Sequence, residues 1–421
     1  MTKGLMSIPI LAGLFAHKTE ESTTQRIALR HQDYSVPSRF PAKKSKVISG
    51  YRAILIHILV WSNVLGVCLF KLGLRKNSFR AYRSLLGKYR LYRNKNYVVR
   101  YASVKDGYQF NLNTPIWPSA AFNRFIRQQI QKVTEVNQPC IQTLVLAITK
   151  KCGFQCAHCV EWNQLNKPES LTRHQLLKII QQFHACGTTQ VQLSGGEPMN
   201  RLKDILFLLR KAPRDIDIWS YTNGYSLNRE KCNKLRAAGL KGVIISIDQH
   251  SPEGHDQFRG VQGSWIRAAT ALRAAFEAGL SVGVSCCVTR EYCSSENLLA
   301  LATLAGAQGA SFLQLLEPSA EGHFEGKDVL LRRNEIRTLE EFYTTMMHTR
   351  AGEKYPIVTY HAYHSRRLGC VGSGNQFLYV DTDGMVQSCP FCREKWFSAL
   401  QDDIRQNLLA LQSIGCKNQT M

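Results

Sequence analysis

From Thr143 to Leu316 the chain repeats one pattern six times: a short apolar run, a polar tip, then a helical stretch. The runs are Thr143–Thr149, Val191–Ser194, Ile216–Tyr221, Val243–Ile247, Val282–Val288 and Phe312–Leu316. Helical stretches between them cover roughly 171–186, 201–211, 229–238, 264–278 and 295–306. Four of the later strands are announced alike, by a helix that ends in small residues and a glycine: Ala185-Cys186-Gly187, Ala237-Ala238-Gly239, Glu277-Ala278-Gly279 and Ala307-Gln308-Gly309. Glycine takes the left-handed conformation without a Cβ clash and so ends a helix cheaply. Strands that alternate with helices require parallel pairing through crossovers. Apolar runs without alternation imply burial on both faces. Six units fall short of a full eight-unit barrel, so the expected fold is α/β, a partial (β/α)6 TIM-like barrel or an open sheet. Its site belongs at the C-terminal strand ends.

Those ends carry the chemistry. The first runs straight into Cys152-Gly153-Phe154-Gln155-Cys156-Ala157-His158-Cys159. Three thiols on one loop can converge on a metal centre. Structural zinc wants four ligands and no fourth is near, whereas a cubane held by three thiolates leaves one iron open to a small molecule. Fourteen cysteines in 421 residues are too sparse for a disulfide scaffold, and this crowding points to a reducing, cytoplasmic setting. The second tip is Ser194-Gly195-Gly196-Glu197-Pro198, where paired glycines admit a ligand to the backbone and Glu197 could bind an ammonium group. The third is Thr222-Asn223-Gly224 and the fourth Ser246-Ile247-Asp248, short polar residues suited to hydroxyl and carboxylate ligands.

With these four tips in view, the chain from about Thr143 to Gly322 resembles the radical S-adenosylmethionine (radical SAM) superfamily. The resemblance implies that Cys152, Cys156 and Cys159 hold a 4Fe–4S cluster. It implies that His158 lies near the adenine of S-adenosylmethionine and that Ser194, Gly195, Gly196 and Glu197 hold its amino group. Asn223, Ser246 and Asp248 would touch ribose or carboxylate, and Arg259 matches an arginine found after the fourth strand. The implied reaction is reductive cleavage of S-adenosylmethionine to methionine and a 5′-deoxyadenosyl radical, which takes hydrogen from a substrate; the cofactor does the hard step. A reducing partner such as flavodoxin or ferredoxin is implied with it. A peptide or protein is the expected substrate, with a lipid or RNA as alternatives. A non-catalytic iron–sulfur carrier or sensor is the other class, but a carrier needs no nucleotide pocket.

Towards the C-terminus, Phe377 to Val386 reads as a β-hairpin turning at Asp383-Gly384. Such a hairpin would bring Cys370 and Cys389 together, with Cys392 and Cys416 completing four ligands; a zinc site or a plain hairpin are the other readings. The extension resembles the SPASM/twitch domains of radical SAM enzymes, which implies a second, auxiliary 4Fe–4S cluster. Only four cysteines lie beyond residue 369, short of the seven in a full SPASM pattern, so one auxiliary cluster is expected. The remaining cysteines suit small buried apolar positions, with Cys293, just past the fifth strand, the one to watch.

The N-terminal third differs in kind. Residues 1–150 hold 24 basic and 5 acidic side chains, against 30 and 26 in residues 151–421, which excludes a uniformly basic nucleic-acid coat. Residues 53–70 form an apolar segment without Lys, Arg, Asp or Glu, at the lower limit for a membrane span. From Tyr34 to Lys105 there are 16 Lys/Arg and no acid, interleaved after the apolar segment with Tyr82, Tyr89, Tyr92, Tyr97 and Tyr101. Basic residues beside an apolar helix suit an anionic membrane surface, Arg with aromatics suits RNA, and a solvated basic helix over Lys71–Tyr97 needs neither. The expected division is a flexible arm (1–52), an apolar helix and possible membrane anchor (53–75), a basic cap (76–137), the core barrel (138–345) and a small auxiliary-cluster domain (346–421). The expected location is cytoplasmic, associated with a membrane through residues 53–70.

Overall fold

The computed structural model describes residues 47–93, 97–134, 139 and 141–415. Its N-terminal elements are β1 (Val47–Ile48), α1 (Gly50–Leu72), α2 (Lys76–Arg93), β2 (Tyr101–Val104), β3 (Gly107–Gln109) and α3 (Ala120–Thr134). The three short strands form an antiparallel sheet. Seven parallel strands follow: β4 (Thr143–Thr149), β5 (Gln190–Gly195), β6 (Asp217–Thr222), β7 (Gly242–Ser246), β8 (Ser281–Cys287), β9 (Phe312–Leu316) and β10 (Ile357–Tyr360). Between them lie α4 (Arg173–Ala185), α5 (Leu202–Lys211), α6 (Arg229–Ala238), α7 (Pro252–Arg259), α8 (Ser264–Glu277), α9 (Ser295–Ala307) and α10 (Arg333–His348). The chain closes with α11 (His361–Leu368), β11 (Phe377–Val380), β12 (Met385–Cys389), β13 (Cys392–Ser398) and α12 (Arg405–Ile414).

All six apolar runs are strands, and the four glycines after the helices have φ between 81° and 110°. The pattern missed β10, a four-residue strand whose Thr359 breaks its apolar run, and α7, whose eight residues are mostly polar. The C-terminal segment is no separate layer. The sheet has ten strands in the order β10-β9-β8-β7-β6-β5-β4-β11-β12-β13. β11 pairs in parallel with β4, Phe377 opposite Thr143, so the hairpin extends the barrel sheet at its first strand. A boundary at 345 falls inside α10, and one at 52 falls inside α1.

Strand and helix approach closely where side chains are small. A methyl on Gly242 would stand 2.5 Å from the Ser281 carbonyl oxygen and 2.4 Å from the Trp219 ring, so only glycine fits there. Apolar side chains of β4 to β9 and the inner faces of α4, α5, α6, α8 and α9 make one continuous core.

The N-terminal elements close the barrel from below. Four hydrogen bonds go to the first residue of a strand or the residue before one. Ile116 donates its N–H to Asp217 (2.9 Å), Gln190 donates to the Leu112 carbonyl (3.1 Å), Gln142 to the Asn113 carbonyl (2.6 Å) and Ser281 to Gln109 (3.2 Å). Beneath this floor α1, α2 and α3 form a second core around Val60, Val64, Phe122 and Ile130. The interleaved tyrosines face into it. Tyr89 meets Trp61 at 5.1 Å, Tyr101 is 1% exposed, and Arg93 lies over the rings of Tyr89 (4.5 Å) and Tyr97 (3.9 Å). These rings are therefore core, not stacking platforms for RNA bases; the side chain of Tyr92 lies outside the described residues.

Asp217 holds the floor at a titratable point. Burial pushes its carboxyl up to about 6. A group whose pKa rises on folding stabilises the native state below its unfolded value and loses that contribution as pH climbs to the folded one. The wild type should therefore lose stability between about pH 4 and 6 relative to Asp217→Asn, whose amide oxygen still accepts the Ile116 N–H. Thermal melts of both proteins across that range check it: parallel curves would show that Asp217 does not titrate on unfolding.

Candidate functional site

The cysteine loop leaves β4 at the C-terminal end of the sheet and is fastened on three sides. Gly196 donates to the Thr149 carbonyl (2.7 Å) and Glu197 to that of Lys151 (2.8 Å), laying the β5 tip along the start of the loop. A Cβ at Gly196 would meet the Lys151 oxygen at 2.5 Å, so the close approach needs the glycine. On the second side, the N–H groups of Gln155 and Ala157 donate to the carbonyls of Arg259 (3.3 Å) and Phe258 (3.0 Å) at the end of α7. On the third, His323 donates its N–H to the Cys159 carbonyl (2.9 Å) and its ring stacks on Trp162 at 3.8 Å.

Cys156 is buried, and Cys152 and Cys159 are half-buried. Burial pushes the Cys152 thiol up to about 11 and the Cys159 thiol to about 12. Cys156 is also raised by burial, against the pull of Arg259, whose Nη1 is 3.5 Å from its sulfur. Burial thus disfavours the thiolate at all three sulfurs, and a metal that binds must displace their protons. Among the described residues no three His, Cys, Asp or Glu side chains converge on a point that one metal ion could occupy. A cubane asks for something else, because each thiolate meets a different iron.

The other expected residues divide into two groups. Ser194, Gly195, Gly196, Asn223 and Ser246 are half-exposed at neighbouring strand tips and open to a ligand. Glu197 and Asp248 are nearly enclosed, and their carboxylates are engaged within the protein. Glu197 accepts from the Met199 N–H (3.0 Å) and Thr222 hydroxyl (2.7 Å) on one oxygen and from the Asn223 N–H (2.7 Å) on the other. These bonds make Glu197 a brace between the β5 and β6 tips. Asp248 accepts from Arg259 Nε at 2.6 Å and from the Cys287 N–H at 2.9 Å. It orients Arg259 rather than reaching outward. The His158 ring stacks on Phe258 at 4.8 Å, is kept neutral by burial (about 4), and has an enclosed Nδ1 with no protein partner.

Several participants were invisible to sequence reasoning because they lie far apart in the chain. Glu161, two residues past Cys159, accepts from the Tyr379 hydroxyl (2.6 Å) on β11 and from Arg393 (3.1 Å) on β13. Lys150 reaches Asp383 at 2.6 Å in the hairpin turn, which holds the Asp383 carboxyl down at about 2. The hairpin turns at Asp381–Gly384 and pairs Cys389 with Cys392 at its other end. A methyl on Gly372 would lie 3.5 Å from the Cys370 sulfur and 3.6 Å from Cys389 Cβ, so these two cysteines flank one glycine. Cys416 lies outside the described residues. Cys293 donates to the Glu335 carbonyl at 3.4 Å.

Residues 146–291 match the radical SAM superfamily. The chain is an enzyme that carries a radical SAM domain over those residues. Its radical SAM segment holds the cysteine loop and all the tips described above. Among relatives, an AdoMet-dependent heme synthase of Oleidesulfovibrio alaskensis is 26% identical over 283 residues, 62% of this chain and 72% of that one. A GTP 3',8-cyclase of Rhizobium leguminosarum bv. trifolii is 28% identical over 162 residues, 36% of this chain and 45% of that one. Among solved structures, Streptococcus suis SuiB bound to its precursor peptide SuiA superposes with a TM-score of 0.52 at 14% identity, over 74% of each chain. A second, anSMEcpe with bound AdoMet and a peptide, gives 0.50 at 15% identity over 66% of this chain and 84% of that one. These likenesses concern the fold.

If Glu197 is a brace, Glu197→Gln must weaken the fold, because an amide cannot accept at both ends. The urea midpoint should fall by the equivalent of about 1–3 kcal/mol. A variant of unchanged stability that had lost only S-adenosylmethionine binding would restore the ligand role.

Proposed function

We propose that this radical SAM enzyme cleaves S-adenosylmethionine reductively and takes hydrogen from a peptide or protein substrate. The observation that carries the proposal is the chain Cys156–Arg259–Asp248, which fixes the cysteine loop against the fourth strand tip while leaving Ser194–Gly196, Asn223 and Ser246 open beside it. Cys152, Cys156 and Cys159 fit three corners of a 4Fe–4S cluster. When bound, that cluster supplies the electron that splits S-adenosylmethionine into methionine and a 5′-deoxyadenosyl radical. The rest falls to the protein. Arg259 puts a fixed positive charge beside the Cys156 sulfur, which favours the thiolate that a metal requires. Neutral His158, with its enclosed Nδ1, offers a flat partner and an unused polar atom to an adenine. The glycines at 195 and 196 let a ligand's polar end reach the backbone. Burial of Phe154 and Cys156 limits the access of water to the inner side of the loop. Flavodoxin or ferredoxin is the proposed reductant.

Cys370, Cys389 and Cys392 are the proposed ligands of an auxiliary cluster, with Cys416 as the fourth. The peptide substrate draws support from SuiB and anSMEcpe, whose structures hold peptides. One observation favours a second reading. The relative named as a heme synthase aligns over 283 residues, well beyond residues 146–291, which supports a tetrapyrrole-like small molecule as substrate.

Anaerobically reconstituted protein given dithionite and S-adenosylmethionine should release 5′-deoxyadenosine, and Cys152→Ala, Cys156→Ala and Cys159→Ala should each drop to background. Absence of 5′-deoxyadenosine from the wild type sinks the enzyme reading. Iron content should be about eight per chain, falling to about four in a Cys370→Ala/Cys389→Ala double variant; full iron in that variant removes the auxiliary cluster.

A further inference from the structure

We propose that α1 and α2 dock the enzyme on an anionic phospholipid surface, with α1 lying in the plane of the bilayer and the floor of the barrel next to the lipid. Helix α1 has two unlike faces. Ala53, Ile56, Val60, Val64, Val67 and Cys68 are buried against the body. Tyr51, Ile54, Leu55, Ile58, Leu59 and Phe70 are exposed, Phe70 to 89%. Leu74 (88%), Phe79 and Leu91 add exposed apolar side chains at the turn and on α2. Of the large apolar side chains exposed among the described residues, nine of fourteen fall on this one hairpin. Single exposed apolar residues are ordinary, whereas a contiguous patch marks a contact surface.

Charge chooses the partner. From residue 47 to residue 105 the chain has no Asp or Glu. Arg52, Arg75, Lys76, Arg80, Arg83 and Lys88 are exposed around the patch. Next to Phe70, Lys71 lines a cleft of about 430 Å³ shared with Arg124, Arg127, Lys132 and Arg405, and no acid lines it. Asp215 pairs with Arg124 at the edge of this group (3.1 Å). A protein partner would need an acidic, apolar face of its own, while an anionic bilayer offers both properties at once. Each Lys or Arg near such a surface contributes about 1 kcal/mol.

The same packing decides between lying and spanning. The buried face of α1 is tied to the floor by His57 against the Tyr101 hydroxyl (2.9 Å) and by the Trp117 indole donating to Asn63 (3.2 Å). A spanning α1 would pull α2 and α3, with their arginines and lysines, into hydrocarbon, which is costly for charged side chains. Helices of this kind sink only ~5–10 Å, to the depth of their apolar face. The floor contacts the N-terminal strand ends, so the cysteine loop stands at the far end of the barrel. The apolar helix therefore lends no weight to a lipid substrate.

The test is co-sedimentation of the full-length, anaerobically reconstituted protein with vesicles of phosphatidylcholine containing one-fifth phosphatidylglycerol, or of phosphatidylcholine alone. The wild type should pellet with the anionic vesicles, weakly with neutral ones, and alkaline carbonate should release it. An Ile58→Glu/Leu59→Glu variant should bind roughly tenfold or more weakly, and Arg80→Glu/Arg83→Glu about fivefold per residue through the salt-sensitive part. These side chains face solvent, so iron content and melting temperature should stay at the wild-type values. Wild-type protein that stays in the supernatant with every vesicle overturns the proposal. So does a lipid-free dimer that Ile58→Glu/Leu59→Glu splits, since a second copy would then cover the face. Retention after carbonate overturns the in-plane placement.

Discussion

Arg259 reaches back from the end of α7 to Asp248 at 2.6 Å, and its other side lies 3.5 Å from the Cys156 sulfur. Both side chains are almost wholly buried. Two charges withdrawn from water this far persist only if each is well matched, and removing one strands the other at roughly 3–5 kcal/mol. Asp248 is matched by Arg259 and by the Cys287 N–H, so one carboxylate joins the β7 tip, α7 and the last residue of β8. The carbonyls of Phe258 and Arg259 in turn hold the cysteine loop by its backbone. The reactive loop therefore inherits its rigidity from the sheet, and the tips beside it are free to face a ligand.

Much of this was legible in the sequence. The repeated strands and their glycine-ended helices read correctly because both signals are local: an apolar run needs only its own residues, and a helix end needs one glycine. The cysteine loop is conspicuous for the same reason. The intramolecular partners of Glu197 and Asp248 are not, because a carboxylate at a strand tip looks identical whether it points at solvent or across to Asn223 or Arg259. Glu161, Tyr379, Arg393 and the Lys150–Asp383 pair were out of reach altogether, since their partners lie more than 200 residues apart.

The N-terminal third gives the sharpest contrast between composition and packing. Its tyrosines and arginines have the makeup of a nucleic-acid surface, but folding turns Tyr89, Tyr97, Tyr101 and Arg93 inward around His57 and Trp61. A guanidinium buried among rings is held by their π faces, and desolvation also leaves His57 neutral, lowered to about 4. The arginines and lysines that remain outside then border apolar side chains instead of aromatic ones, which changes what the surface can hold.

The floor has a consequence for traffic. Residues 109–116 block the barrel along its axis at the N-terminal strand ends, where Leu112 is fully buried and presses on β8 at Gly283. Along that axis the vessel has one door. Whatever enters between the strand tips must leave past the same residues, in an order set by size. A large substrate seated over Ser194 and Asn223 would act as a stopper, retaining any smaller molecule beneath it until the larger one departs.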